Sequence, residues 1–258
     1  GLSGGIDSAV VAALAVDALG AENVHCLMLP YRYTSEASLR DAKACAETLG
    51  VRYDIVPIGA PVDAVNENLA AVFEGHTPDI TEENLQSRMR GTILMAVSNK
   101  LGSLLITTGN KSEMAVGYAT IYGDMNGAYN PIKDMLKMQV YGLAEWRNGY
   151  YPTDVLGPAG VVIPPEIISK APSAELRPDQ TDQDSLPPYP VLDAIIEAVV
   201  EDELSLAEIV GKGFDAELVQ RIERLIYIAE FKRRQSAPGP KLTSKAFGIG
   251  RKYPITSG

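Results

Sequence analysis

The chain opens Gly1-Leu2-Ser3-Gly4-Gly5-Ile6-Asp7-Ser8 and runs straight into the apolar stretch Ala9 to Ala15. Adjacent glycines between two serines make a turn whose backbone N–H groups can converge on an anion, because no Cβ obstructs close approach. Ser8 to Leu19 reads as a helix, since its alanines and leucines are strong helix formers and Gly20 stands where a C-terminal glycine belongs. Such a helix points its unpaired donors and the positive end of its dipole at the same anion, so a phosphate chain suits this turn.

The turn lacks the lysine of the Walker A pattern and carries Asp7 instead. A carboxylate repels a neighbouring phosphate unless a metal lies between them, so Asp7 reads as a magnesium ligand to a di- or triphosphate. The plainer reading makes Asp7 the N-cap of the helix. A phosphate loop ordinarily follows a buried strand, and none precedes Gly1. The sequence therefore reads as an excerpt of a longer chain that lacks the first strand.

Outward from the turn, apolar runs alternate with helical patterns. Val24 to Leu29 reads as a strand ended by Pro30, Ser35 to Leu49 as a helix closed by Gly50, and Tyr53 to Ile58 as a second strand. This alternation predicts an α/β fold, a doubly wound parallel sheet with helices on both faces and ligands beyond the carboxyl ends of the strands. Pro61 to Glu74 is a predicted helix broken by Gly75-His76-Thr77-Pro78, where His76 reads as a solvated loop residue. Thr81 to Lys100 is a long amphipathic helix on which Asn84 and Arg88, four apart, share a face that Arg90 does not.

Leu104 to Thr107 reads as a strand feeding a polar turn with Thr108, Asn110 and Glu113, the place where an open α/β sheet carries its functional groups. Glu113 suits a helix N-terminus, and with Asp7 it could complete a magnesium site. Tyr118, Thr120, Tyr122, Gly123 and Asp124 form a loop suited equally to ring stacking and to packing. Lys133 and Lys137 stand beside a helix start, where a cation is unfavourable and an anionic partner is expected. Residues 148–190 are dense in proline and glycine, and the part from Ser173 to Tyr189 reads as a mobile lid. Residues 191–258 read as a helical annex, broken near Gly211-Lys212-Gly213, with the basic tail Lys232-Arg233-Arg234 beyond.

Composition limits the partners. The 258 residues carry a net charge of -10, which argues against a general nucleic-acid or membrane surface, and no apolar run is as long as a membrane span. The two cysteines, Cys26 and Cys45, fit buried thiols in a reducing compartment, so a cytoplasmic protein is expected.

The SGGIDS string resembles the pyrophosphatase loop (PP-loop) of ATP pyrophosphatases that adenylate a substrate. Taken with Glu83-Asn84-Leu85-Gln86-Ser87-Arg88, Thr108-Gly109-Asn110-Lys111-Ser112-Glu113, Tyr122-Gly123-Asp124 and Lys232-Arg233-Arg234-Gln235, in this order, it resembles the synthetase domain of the NAD synthetases over nearly the whole chain. Pro131-Ile132-Lys133-Asp134, Lys241 to Gly248 and Tyr253-Pro254-Ile255-Thr256 resemble the glutamine-dependent branch, in which a glutaminase domain lies N-terminal.

The resemblance implies ATP-dependent amidation of deamido-NAD by ammonia through an adenylated intermediate, with ATP and magnesium bound and a homodimer or larger assembly. It implies catalytic roles for Asp7, Glu113 and Lys137, with Asp7 and Glu113 holding the metal. Ser3, Gly4, Gly5, Asp7, Ser8, Thr108, Lys137 and Ser173 would bind ATP. Asn84, Arg88, Glu113, Tyr118 and Lys232 would bind deamido-NAD. Ser173 replaces the threonine of simpler members and keeps its hydroxyl, whereas Phe231 stands where they have histidine. Another PP-loop ligase such as GMP synthetase, or an ATP-binding module without turnover, are the competing readings.

Overall fold

In a computed structural model, which describes residues 1–255, the serine–glycine turn leads into α1 (Ile6–Leu19). Thr256 of the tail motif and the last residues of the expected annex lie outside the described residues. The helix starts two residues before Ser8, because Gly5 is its extended N-cap, and so Asp7 stands in the first turn and is not the cap. At the other end Gly20 takes φ 83 and turns its amide back to Val16 O.

The strand β1 (His25–Met28) pairs in parallel with β2 (Arg52–Ile55), His25 opposite Arg52, and α2 (Glu36–Leu49) makes the crossover between them. Ser35 caps α2 by accepting from Ser38 N, and Gly50 ends it in the left-handed conformation. Both strands are shorter than the apolar runs suggest, although the ladder continues as Val56 N to Met28 O and Ile58 N to Pro30 O. Leu2 N donates to Leu27 O at 2.8 Å. Carbonyls of successive strand residues point to opposite edges, so the start of the chain lies along one side of β1 and β2 along the other.

Alternation along β1 divides the core. Cys26 and Met28 pack with α1, α2 and Ile167, while Leu27 and Leu29 pack with Ile58, Val62 and the Leu85, Met89 and Ile93 side chains. Helices thus cover both faces of the parallel sheet, the α/β architecture expected. The second face is built by α3 (Gly59–Leu69), shorter than expected, and α4 (Ile80–Leu101), which Asp79 and Glu82 open with a reciprocal capping box. The run from Leu104 to Thr107 forms only an isolated parallel bridge, Ile106 with Tyr129, because its neighbour is an irregular loop in place of a strand.

Next come α5 (Lys111–Val116), α6 (Lys137–Gly149) and α7 (Pro165–Ser169). The C-terminal helices are α8 (Tyr189–Ile196), which continues as a π turn over Glu197–Glu201, then α9 (Leu206–Gly211), α10 (Ala216–Ile228) and α11 (Glu230–Arg233). The break at Gly211–Gly213 is present, and a second falls before Ser205, which caps α9 in a box with Glu208. Leu192, Ile195, Val219, Ile222 and Ile226 give this annex its own core, closed over Ala115 and Val116 of α5 and over Phe247 and Tyr253 of the tail.

Within the basic tail Arg234 is exposed and Lys232 partly so, but Arg233 is buried. Arg233 is 4% exposed and donates to the Met114 and Ala115 carbonyls, so it caps the end of α5, while its guanidinium stacks on Phe247 and Tyr253.

Candidate nucleotide site

Gly4 takes φ 80, and a Cβ there would stand 2.4 Å from Ser38 O, so glycine is required both by conformation and by the close approach of α2. The hydroxyls of Ser3 and Ser8 lie 3.2 Å apart, Ser8 Oγ donates to Gly5 O, and Gly5 N donates to Ser3 Oγ at 3.3 Å. These bonds fix the turn. Gly5 offers no side chain to cap α1, so the first-turn amides of this fourteen-residue helix receive no side-chain cap, and Asp7 is the acidic residue of that turn.

Two distant segments bring Glu113 and Lys137 to Asp7. Asn110, fully buried, caps α5 by accepting from Glu113 N at 3.0 Å and donates to Asp7 Oδ1 at 2.9 Å. Lys137, the first residue of α6, places its Nζ 2.5 Å from Asp7 Oδ2 and 3.0 Å from Glu113 Oε1. Burial pushes the Glu113 carboxyl up to about 7, with Asp7 adding to the rise and Lys137 opposing it. For Lys137 burial acts downward, but the two carboxylates outweigh it and hold the ammonium above its ordinary range.

Around this triplet opens a cleft of about 440 Å³. Ser3, Gly5, Asp7, Ser8, Asn84, Thr108, Glu113, Tyr118, Lys137, Ser173 and Lys232 all line it, so it gathers most of the residues anticipated from sequence. Gly4 lies behind the turn. Asn84 accepts from Thr120 Oγ1 at 2.9 Å, and Ser173 Oγ donates to Gln180 O. Tyr118 donates to Asp182 Oδ1 at 3.2 Å, and burial with that carboxylate raises its hydroxyl. Lys232 Nζ donates to the Gly117 and Ala119 carbonyls at 2.8 Å, and burial lowers its ammonium.

Arg88 is not among the residues lining the cleft. It is exposed, and its Nε reaches Ile121 O at 3.2 Å. The cleft face of α4 is the stripe Glu83, Asn84, Ser87, Arg90, Gly91 and Leu94. At about 100° per residue this stripe centres on Ser87, which leaves Arg88 about 100° to one side and puts Arg90 inside it. The Asn84–Arg88 pairing took an edge of the stripe for its middle. Tyr122 likewise points outward, at 65% exposure, and Asp124 instead anchors that loop to Ser87 Oγ and Thr120 N. His76 stands outside the cleft, as expected.

Residues Ser173 to Leu176, with Gln180 and Asp182, line one part of the cleft. Glu175, at φ 50, accepts from Ser35 Oγ and Ser38 Oγ at 2.8 and 2.7 Å, Arg177 reaches Glu83, and Gln86 donates to Leu176 O. Asp182, Glu175 and Arg90 were not anticipated as lining residues. The α4 stripe could have revealed Arg90, but nothing periodic in 173–184 marks the other two.

The lining carries Asp7, Glu83, Glu113, Asp124, Glu175 and Asp182 against Arg90, Lys137, Lys170 and Lys232. A bare polyphosphate would meet a net negative wall there. Among the described residues no group of three or more His, Cys, Asp or Glu side chains is arranged to hold a metal. Magnesium commonly takes one or two carboxylates and completes its octahedron with phosphate oxygens and water, and the Asp7–Glu113 pair fits an ion that arrives with a nucleotide. No hydrogen bond from a described residue engages Glu113 Oε2, which leaves that oxygen free for it.

A parallel α/β sheet with a serine–glycine turn and an open helix N-terminus at its carboxyl edge defines a nucleotide-binding protein of the PP-loop class. The NAD synthase family profile matches residues 1–236, and the chain belongs to that family. It is 60% identical over 257 residues to a glutamine-dependent NAD(+) synthetase of Rhodobacter capsulatus, covering 100% of this chain and 47% of the relative. The glutamine-dependent NAD+ synthetase of Acinetobacter baumannii, solved in complex with adenosine diphosphate, is 46% identical with a TM-score of 0.62, covering 98% of this chain and 44% of the other. NMN synthetase from Francisella tularensis superposes with a TM-score of 0.72 at 27% identity, covering 93% and 87%. The chain spans about half the length of the curated relatives it matches.

Proposed function

We propose that this cleft amidates deamido-NAD with ammonia at the expense of ATP, releasing AMP and pyrophosphate. The observation that carries the reading is the convergence of Asp7, Glu113 and Lys137 beside the open N-terminus of α1. Ser3, Gly5 and Ser8, on a turn that Gly4 shapes from behind, cradle the β- and γ-phosphates of ATP, with Thr108, Lys137 and Ser173 as further contacts. The Acinetobacter baumannii relative was solved with adenosine diphosphate, which supports the use of an adenine nucleotide. Asp7 and Glu113 hold a magnesium ion, which when bound neutralises charge on the departing pyrophosphate.

The nicotinate carboxylate of deamido-NAD, held by Asn84, Glu113, Tyr118 and Lys232, attacks the α-phosphorus. The bond to the pyrophosphate oxygen breaks, and an acyl adenylate results. Lys137 and the α1 amides stabilise the negative charge that builds on the leaving group, which is the main contribution expected of the protein in such a transfer. Ammonia then adds to the activated carbonyl and expels AMP. It must arrive as the free amine, so no strong general base is required.

The protein is read as a homodimer or larger assembly, as the resemblance to the family implies. Ammonia comes from glutamine through a glutaminase segment of the whole protein, as the names of its relatives suggest, and the reaction runs in the cytoplasm. Among the described residues no helix is long and apolar enough to cross a membrane.

The test is pyrophosphate release from ATP and ammonium with deamido-NAD, nicotinate mononucleotide or xanthosine monophosphate as acceptor. Release with deamido-NAD is expected. Release only with one of the other two, or with none, would overturn the assignment.

A further inference from the structure

Lys137 opens α6, and its backbone N–H and that of Met138 belong to the set an α-helix leaves without an intrahelical partner. Leu136, which precedes them, has no side-chain oxygen with which to cap them. Groups from two other elements take them up: Lys137 N donates to Ser112 Oγ and Met138 N to Asp193 Oδ2, each at 2.8 Å. Ser112 Oγ in turn donates to Asp193 Oδ1. Ser112 is fully buried and Asp193 is 5% exposed.

The connectivity joins both sides of the Lys137–Glu113 contact. Ser112 immediately precedes Glu113 on α5, so one residue carries the carboxylate through its backbone and the amide of Lys137 through its hydroxyl. Asp193, from α8 of the annex, holds that hydroxyl and the next amide of α6 with its two oxygens. A buried carboxylate is costly unless its lone pairs are filled, and here the donors that fill them are those that locate the start of α6.

We propose that Asp193 and Ser112 are positioning residues that set where the Lys137 ammonium stands between Asp7 and Glu113. They touch neither nucleotide nor acceptor, and they act through the first two amides of α6. The inference rests on the role given to Lys137 in the proposed reaction. The C-terminal annex thereby becomes part of the catalytic geometry as well as a packing layer.

The experiment is a double-mutant cycle with Lys137→Met, Ser112→Ala and Asp193→Asn, each alone and each of the last two combined with Lys137→Met. Pyrophosphate release is measured at a temperature where urea unfolding shows every variant folded. Misplacing a reacting group by about 1 Å can cost about a hundredfold in rate. Ser112→Ala and Asp193→Asn are therefore expected to lower kcat roughly ten- to a hundredfold, with KM for ATP changed much less, and to add little in the Lys137→Met background. Ser112→Thr, which restores the hydroxyl, should recover most of the loss. Full kcat in a folded Ser112→Ala or Asp193→Asn protein, or losses that simply multiply with that of Lys137→Met, would overturn the proposal.

Should the wild-type protein release no pyrophosphate with any acceptor, the functional reading fails on its own. The same cycle is then read by calorimetric affinity for magnesium and a non-hydrolysable ATP analogue. Non-additive affinities support positioning there, and additive ones refute it.

Discussion

Replacing Lys137 with methionine removes the one cation that stands between Asp7 and Glu113, at 2.5 and 3.0 Å, while leaving a side chain of similar volume. The lysine is 2% exposed and the acids 18% and 17%, so this is a buried triad with limited access to water. Removing one partner of a buried pair costs about 3–5 kcal/mol, because the remaining charge is left uncompensated. The partial exposure of the acids places the expected loss near 3 kcal/mol at pH 8. At pH 5.5 Glu113, raised to about 7, carries a proton in the folded protein, only the Asp7 contact is lost, and the cost should fall to about 1–2 kcal/mol. Magnesium chloride should restore part of the stability at pH 8, since a cation that binds only the folded state at ten times its Kd adds about 1.4 kcal/mol. The assay is urea unfolding of wild type and variant at both pH values, with and without magnesium. An equal loss at pH 5.5 and 8 would refute the assignment of Lys137 as the counter-ion of two acids, and indifference of the variant to magnesium would refute the metal assignment.

Glu113→Gln should abolish pyrophosphate release yet stabilise the fold at pH 8. The folded-state value of Glu113, about 7, lies above its ordinary 4.5, so the unfolded chain ionises first and stability is lost between pH 4.5 and 7; the variant should gain up to about 3 kcal/mol over wild type at pH 8 and nothing below pH 4.5. Paired unfolding curves that stay a constant distance apart would contradict this. Gly4→Ala meets both a φ of 80 and a carbonyl 2.4 Å from the new Cβ, so it should cost about 1–3 kcal/mol in thermal unfolding and weaken nucleotide binding in calorimetry. Arg233→Ala leaves Glu230, itself 2% exposed, with Arg234 as its remaining partner and uncaps α5, for a loss of about 1–3 kcal/mol read by urea unfolding. Ammonia-driven turnover at fixed total ammonium should rise from neutral to mildly alkaline pH, and a flat profile would argue against the free amine as nucleophile.

The parts of the fold that sequence made legible are those where local chemistry and tertiary packing agree. Gly20 and Gly50 end α1 and α2 as their positions suggest, and the alternation of apolar runs and helices yields the parallel β1–β2 pair. The convergence of Asp7 and Glu113 was legible for a similar reason, since each stands in the first turn of a helix that follows an extended segment. Arg88 shows where such reading stops: i,i+4 spacing establishes that two residues are neighbours on a helix, but not where the buried stripe is centred. Its centre at Ser87 is set by the Tyr122–Asp124 loop, whose backbone presses on Gly91 and Ser87 from more than thirty residues away. The acids of residues 173–184 were illegible because Glu175 takes its place from Ser35 and Ser38, 140 and 137 positions away, and not from any local period.

The charge balance of the cleft follows from this construction and explains why a polyphosphate is admitted to an acidic wall. The donors aimed at the phosphate are the uncharged backbone amides of α1, whose dipole adds the equivalent of about half a positive charge. Lys137 adds one full charge but shares it between two carboxylates. Neither is enough to neutralise a triphosphate next to Asp7, Glu113 and Asp182. A nucleotide that carries its own divalent cation brings the missing charge and gives the Asp7–Glu113 pair a second partner, while free nucleotide is repelled by those acids. Under the proposed function the carboxylates would therefore discriminate between metal-bound and metal-free nucleotide, and Asp7→Asn with Glu113→Gln should bind metal-free ATP more tightly than wild type while losing turnover. Calorimetric titration with ATP in the presence of a chelator reads this directly, and a double variant whose affinity for metal-free ATP is unchanged or weaker would show that the acids do not act as a charge filter.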